Sequence, residues 1–287
     1  MSNDSNNNKR IPSKTYLKND ISKFNIDFDI PEQQKSNTLI SGTNNTGKSR
    51  LSAGICSILQ NLDWRIVAFD NTSIYKEISD IPVFYRVRKA RNFDEESKQW
   101  FYPYPRDSML YDMSLLIPDL QKSFVDDCLE RIWNAQVRNP SKQWTLIVLE
   151  EFQLYGRSIR GSVSQNILRV MSAGRFHKLR VLGITVDLAL CDPAFIRLCQ
   201  QRYHGRLGIE GNAKRRFRDY YGIDWTRIAT EGLDVGYFIY LLRDKLKIIH
   251  IPLFETKRIP QPYHVRMPTP QPLKPKSLLQ KVREWFR

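Results

Sequence analysis

The octapeptide Gly42-Thr43-Asn44-Asn45-Thr46-Gly47-Lys48-Ser49 constrains this chain more than any other stretch. Composition alone would give a G-x-x-x-x-G-K-[ST] match in a chain of this size about once in a hundred, and the context sharpens it. The β-rich run Thr38-Leu39-Ile40-Ser41 leads in. Lys48 to Leu62 follows, with Leu51, Ile55, Ile58, Leu59 and Leu62 at helical spacing. A strand, a glycine-bounded turn and a helix in that order build an anion cradle. Gly42 and Gly47 admit positive φ and let backbone approach phosphate oxygens, and Asn44 and Asn45 tolerate left-handed conformations. Successive backbone N–H groups point inward, and the start of the helix adds its positive dipole end. Lys48 supplies a mobile charge for β- and γ-phosphates, and the Ser49 hydroxyl a ligand for Mg²⁺. The segment predicts binding of ATP with Mg²⁺.

Other apolar runs supply the rest of a sheet. Arg65–Phe69 reads as a strand ending at Asp70, and Pro82–Val87 as another. Thr145-Leu146-Ile147-Val148-Leu149 is apolar throughout, the pattern of a parallel strand covered by helices on both faces. It ends in Glu150-Glu151. In P-loop enzymes the first acid holds magnesium, usually through water, and the second polarises the attacking water. Here Glu150 stands where Asp is usual. A solvated acidic pair at a strand end is the plainer alternative. Leu179–Thr185 is a further buried strand, whose terminal Thr185 is a candidate sensor of the γ-phosphate. Arg175, Arg202 and Arg206 are candidates for an arginine that neutralises transition-state charge from a neighbouring subunit.

The remainder sets the organisation. Residues 1–25 are polar and Asn-rich and read as a disordered tail. An ATPase domain then spans 26–256, a Pro-rich basic linker 257–276 and a short amphipathic helix 277–287. Residues 89–113 read as a loop or insertion, whose aromatics at Trp100–Pro105 suit either stacking on bases or packing on their own domain. Helices are expected over Pro118–Val137, Val163–Ser172, Pro193–Tyr203 and Ala213–Tyr221, with a short strand at Arg206–Ile209. Residues 222–252 read as β-rich, with a closing hairpin of Val235–Leu242 and Lys247–Ile251. The alternation predicts an α/β fold with a mainly parallel central sheet flanked by helices. Cys56, Cys128, Cys191 and Cys199 have neither zinc nor disulfide spacing and read as buried thiols. No run of 18 apolar residues and no secretory leader is visible, so a cytoplasmic protein away from membranes is expected.

Charge points to a partner. Residues 1–150 carry 20 Lys+Arg against 19 Asp+Glu, and residues 151–287 carry 25 against 11. A basic back half suits a polyanion, and Lys214, Arg215, Arg216 and Arg218 suit sequence-blind contacts to duplex-DNA phosphates. A solvated helix face is the alternative for that cluster.

Together these stretches resemble the FtsK/HerA superfamily of ring-forming DNA-pumping ATPases, over roughly residues 35–255. Leu146–Phe152 is similar to the family's apolar strand followed by Asp-Glu-Phe. Arg175 to Thr185 is similar to its Arg, turn and strand ending in Thr-Gln, with Val186 at the Gln position. Glu231–Phe238 resembles its late Gly-containing turn and strand. The resemblance implies a RecA-like core of the additional-strand type, with the Thr185 strand between the phosphate-loop and Glu150 strands. It also implies a homohexamer with DNA in its channel and active sites between subunits. Genome packaging by a viral or plasmid motor is the leading expectation, with a capsid, nuclease or relaxase as possible partner. An AAA+-like initiator or loader, which would carry a helical lid, and an ATP-gated DNA-binding or partition adaptor are the alternatives.

Overall fold

The structure is a computed structural model that describes residues 36–251 apart from 74, 76–78, 80, 156–163, 209–210 and 243–244. The tail, linker and terminal helix expected at 1–25, 257–276 and 277–287 lie outside the described residues. In chain order the elements begin with β1 (Asn37–Ser41), α1 (Lys48–Asn61), β2 (Arg65–Asp70), β3 (Val83–Arg86), α2 (Lys89–Asn92), β4 (Phe93–Asp94), β5 (Gln99–Trp100) and β6 (Met109–Asp112). Then follow α3 (Pro118–Arg138), β7 (Thr145–Leu149), α4 (Gln165–Ala173), β8 (Leu179–Thr185), α5 (Pro193–Leu198), β9 (Cys199–His204), α6 (Asn212–Tyr221), α7 (Ile223–Arg227), β10 (Tyr237–Leu242) and β11 (Lys245–His250).

Nine of these strands, among the described residues, form one sheet in the order β11-β10-β9-β1-β8-β7-β2-β6-β3. Every pairing from β9 to β3 is parallel, and β10 and β11 add antiparallel. The expected α/β fold is therefore present, a RecA-like additional-strand core with a C-terminal hairpin. β8 lies between β1 and β7, pairing Ser41 with Thr185 on one side and Leu149 with Gly183 on the other. That register brings Gly42, Thr185 and Glu150 to one carboxyl edge.

Alternating side chains build two apolar layers. Val67, Phe69, Ile147, Leu149 and Val181 pack with Phe124, Leu129 and Ile132 of α3 and with Ile167 and Val170 of α4. Ile40, Ile66, Ala68, Val148, Leu182 and Ile184 pack with Leu51, Ile55 and Leu59 of α1 on the other face. Gly183 faces the first layer with no side chain to spare. A Cβ there would lie 2.7 Å from the Phe195 ring and 3.2 Å from Phe152, two rings stacked with centroids 3.4 Å apart.

Four expectations are corrected. The loop or insertion expected over 89–113 does not reach its far bound, because Met109–Asp112 is an interior strand between β2 and β3. The aromatics around it are mostly core: Trp100 and Tyr102 are buried and pack edge-on against Phe124, and the Arg65 guanidinium donates to the Pro105 carbonyl (3.1 Å). Base stacking by Trp100 or Tyr102 is thus ruled out by burial, leaving Phe101 exposed. The helix expected over Pro193–Tyr203 stops at Leu198, and β9 pairs with β1 instead. The strand expected at Arg206–Ile209 is absent over 206–208, which run irregularly. Residues 222–252 are only half β: α7 and a π-helical turn over Ile228–Gly232 precede the hairpin. No described helix is long and apolar enough to cross a membrane.

Candidate active site

The octapeptide folds as its residue types require. Gly42 (φ 148°), Asn45 (φ 61°) and Gly47 (φ 93°) take positive φ, and α1 starts at Lys48 with Gly47 as its N-cap. The loop is tied down from three sides. Thr43 N–H donates to the Arg206 carbonyl (2.8 Å), Gly236 N–H donates to the Thr46 carbonyl (3.2 Å) and Gly205 N–H donates to the Ser41 carbonyl (2.7 Å). Thr46 Oγ1 closes the turn by donating to the Thr43 carbonyl (2.9 Å). Lys48 Nζ donates to that same carbonyl (2.9 Å). Its ammonium is largely buried, and burial lowers its pKa while the carboxylates of Glu151 and Glu150 act to raise it. The lysine thus lies near both acids.

Glu150 and Glu151 sit side by side in different environments. Glu150 is buried, its N–H donates to the Phe69 carbonyl (3.2 Å), and its own carbonyl accepts from Asn71 Nδ2 (3.1 Å). Burial and the neighbouring Asp70 carboxylate push its pKa up to about 8, with the Ser49 hydroxyl and Lys48 opposing. One of its oxygens, Oε1, has no hydrogen-bond partner although it is out of water. An orphaned, buried carboxylate oxygen beside the Ser49 hydroxyl is a hard-oxygen donor set that fits Mg²⁺. Among the described residues no group of three or more His, Cys, Asp or Glu could hold a metal ion.

Glu151 is half-buried and takes the left-handed conformation (φ 50°, ψ 47°), uncommon for a side chain of this kind and a form of local strain. The turn it makes is clamped by Phe152 beneath it. Its carboxylate accepts a hydrogen bond from Gln153 Nε2. Gln153 Oε1 accepts from Thr185 Oγ1 (2.8 Å), and Asp187 N–H donates to that same hydroxyl (3.2 Å). Thr185 is therefore at the site and connected to Glu151. The intermediary, Gln153, was missed from sequence. Its only local signal is a polar residue two places after the acids in a segment that is otherwise apolar.

The arginines separate. Arg206 is exposed at the phosphate loop and lines a cavity of about 340 Å³ with Thr43, Asn44, Thr46, Leu207 and Val235. Arg202 is half-buried, donating to the Cys199 carbonyl (2.8 Å) and to Tyr221 Oη (2.9 Å). Arg175 is exposed in the turn before β8, at the amino edge, away from the loop of its own chain. On α6, Arg215 and Arg218 are exposed and Lys214 is half-buried. Arg216 is turned inward, donating to the Leu188 carbonyl (3.1 Å) and to that of Cys191.

No protein-family model matches the sequence, and no curated protein does either. Solved structures share the fold. The genome-packaging NTPase B204 of Sulfolobus turreted icosahedral virus 2, solved with AMPPCP, aligns at a TM-score of 0.57 and 15% identity, covering 77% of this chain and 100% of B204. The plasmid coupling protein TrwB with ADP and Mg²⁺ aligns at 0.59 and 10% identity, over 88% of this chain and 94% of TrwB. VirB4 of Thermoanaerobacter pseudethanolicus aligns at 0.56 and 10%, over 75% and 89%. At such identities the likeness is one of fold.

Proposed function

We propose that this chain is an ATP-driven translocase of duplex DNA of the FtsK/HerA type, working as a genome-packaging motor. One observation carries the reading. A complete phosphate loop faces a buried acid with an unpaired oxygen and a strained, tethered second acid, on a fold shared with a packaging NTPase over that protein's whole length.

The roles follow from placement. Backbone N–H groups of Thr43–Ser49 and the start of α1 bind the phosphates, with Lys48 as their counter-charge. The cavity between Thr43–Thr46, Arg206–Gly208 and Asp234–Val235 takes the base and ribose. Ser49 and Glu150 would hold Mg²⁺, which when bound draws charge from the β- and γ-phosphate oxygens. Glu151 orients and polarises the attacking water, and Thr185 stands at the γ-phosphate. Chemistry of this kind is positioning and charge stabilisation, so rigid placement of these groups matters more than their basicity. Arg206, Arg202 and Arg175 remain the candidates for the transition-state arginine; Arg206 lies at the phosphate loop of its own chain, so the exposed Arg175, away from that loop, is the one free to act in trans. Arg215, Arg218 and Lys214 offer phosphate contacts on the face of α6, while Arg216 serves the fold.

A homohexamer encircling DNA, with active sites between subunits, is the assembly this reading requires. An AAA+-like loader would carry a helical lid after the core, where residues 237–250 form the β10–β11 hairpin, with 243–244 outside the described residues. The test is ATP turnover by the purified protein with and without duplex DNA, with electron microscopy in a non-hydrolysable ATP analogue. DNA-stimulated turnover and six-membered rings around DNA are expected. Turnover indifferent to DNA contradicts the motor, and DNA binding without turnover favours an ATP-gated adaptor.

A further inference from the structure

We propose that Gln153 is the positioning residue for the Glu151 carboxylate, tying it to Thr185 at the end of the neighbouring strand. The inference rests on the reading of Glu151 as the water-orienting acid and goes beyond it, because it makes the acid's placement depend on a side chain of its own turn and on a different strand.

The hydrogen-bond polarity of the link is dictated by its ends. An ionised Glu151 can only accept, so the Gln153 amide must turn its NH₂ toward it. The Gln153 carbonyl then faces Thr185, whose hydroxyl carries one proton and gives it at 2.8 Å. Thr185 Oγ1 also accepts from Asp187 N–H (3.2 Å) and lies 3.1 Å from the Asp187 carbonyl, a second acceptor for its single proton. The arrangement of the link is therefore set from the Glu151 end, where an amide oxygen turned toward the carboxylate would meet it acceptor to acceptor.

Other buried glutamines of this chain show what a purely structural role looks like. Gln121 donates to the Met113 and Leu116 carbonyls (3.1 and 3.0 Å), and Gln136 to the Ser141 carbonyl (3.4 Å). Both brace backbone turns. Gln201 bridges two side chains away from the site, accepting from Thr38 Oγ1 (3.1 Å) and donating to Tyr240 Oη (3.4 Å); Gln153 bridges two side chains of the site itself, Glu151 and Thr185. Its place is fixed from below, since Phe152 is stacked on Phe195 beneath Gly183, so the turn cannot slide to relieve a lost bond. Glu151, half-buried and held in a left-handed conformation, takes its direction from Gln153.

The test compares the full-length protein with Gln153→Glu, Thr185→Val, Thr185→Ser, the Gln153→Glu/Thr185→Val double variant, and Glu151→Gln. The readouts are kcat and KM for ATP, Mg–ATP affinity by calorimetry, and Tm. Gln153→Glu keeps the size and can still accept from Thr185 but cannot donate to Glu151. Its kcat is expected to fall at least ~10-fold with affinity within about twofold and Tm little changed. Thr185→Val lowers kcat, Thr185→Ser restores it, and the double variant is no worse than the more damaged single one, because both changes cut one link. Should Gln153→Glu fail to fold, Gln153→Met carries the same expectation. A kcat within about twofold of wild type in Gln153→Glu overturns the proposal, as does a loss of kcat matched by loss of affinity or of Tm. If Glu151→Gln abolishes turnover while Gln153→Glu does not, this inference alone fails. If Glu151→Gln still turns over, the assignment of Glu151 fails and takes the inference with it.

Discussion

Two regions flank β1, and both bury polar groups, but they treat them in opposite ways. On the β8–β7 side, Glu150 keeps an oxygen unpaired, Glu151 holds a left-handed backbone and Lys48 is buried near both acids. On the β9 side every bond of a buried chain is made. Ser41 Oγ lies 2.7 Å from His204 Nδ1, His204 Nε2 lies 2.9 Å from Tyr221 Oη, and Tyr221 accepts from Arg202 (2.9 Å). A neutral imidazole serves both neighbours, donating through one ring nitrogen and accepting through the other. Burial, with Arg202 adding to it, pushes the His204 pKa down to about 3, so the ring stays neutral. The lesson is that burial alone does not mark function here. On the proposed reading the functional flank is the one left incomplete, its unpaired and strained groups persisting where a ligand would complete them. The satisfied flank is scaffold: it fixes the strand beneath the phosphate loop to α6, the helix that carries the basic cluster.

If that contrast holds, substitutions on the two flanks separate chemistry from stability. The largest effect falls on the open flank. Glu151→Gln should cut kcat by ~10³ while leaving nucleotide affinity and Tm near wild type, as steady-state kinetics beside calorimetry will read. Next comes the clamp under the acids. Gly183→Ala drives a methyl into the Phe152–Phe195 stack and should cost about 1–3 kcal/mol of stability by urea unfolding, with turnover falling as Glu151 shifts. On the closed flank, His204→Ala leaves the Ser41 and Tyr221 hydroxyls without their partner and should cost about 1–3 kcal/mol, with kcat little changed. A large kcat loss at constant stability would erase the distinction between the flanks.

A pH series sharpens the same point. His204 is held at about 3 when folded and titrates near about 6.5 when unfolded. Between those values the unfolded chain takes a proton that the folded one refuses. Its contribution is therefore at full strength above about pH 6.5 and is lost as pH falls toward 3. Unfolding at about pH 7 and about pH 5 should show a smaller stability drop in His204→Ala than in wild type. The smallest effect belongs to α6. Replacing both Arg215 and Arg218 with Ala should weaken duplex-DNA binding and flatten its salt dependence by about two in the log–log slope at most, without altering DNA-free turnover.

Much of this was legible in the sequence because its signals are local. The phosphate loop, the apolar strands at Arg65–Asp70, Thr145–Leu149 and Leu179–Thr185, and the acids at Glu150 and Glu151 are each written in consecutive residues. What escaped depends on partners distant in sequence. Met109–Asp112 is four residues after a Pro-rich segment and becomes a strand because β2 and β3 pair with it on both sides. Cys199–His204 continues a helical apolar spacing, yet pairing with β1 overrides it. Gln153 is unremarkable by position and acquires its place through Thr185, on a strand whose adjacency to β7 arises only in the folded sheet. The inward turn of Arg216 is similarly set by carbonyls in the segment after β8.

The central claim is that the loop before Lys48 grips a triphosphate, and titration calorimetry of Mg–ATP into wild type and Lys48→Ala tests it most directly. Wild-type binding in the micromolar range or tighter, weakened ~100-fold or more in the variant at unchanged Tm, is the expected result. Equal affinity in the two proteins would contradict the account.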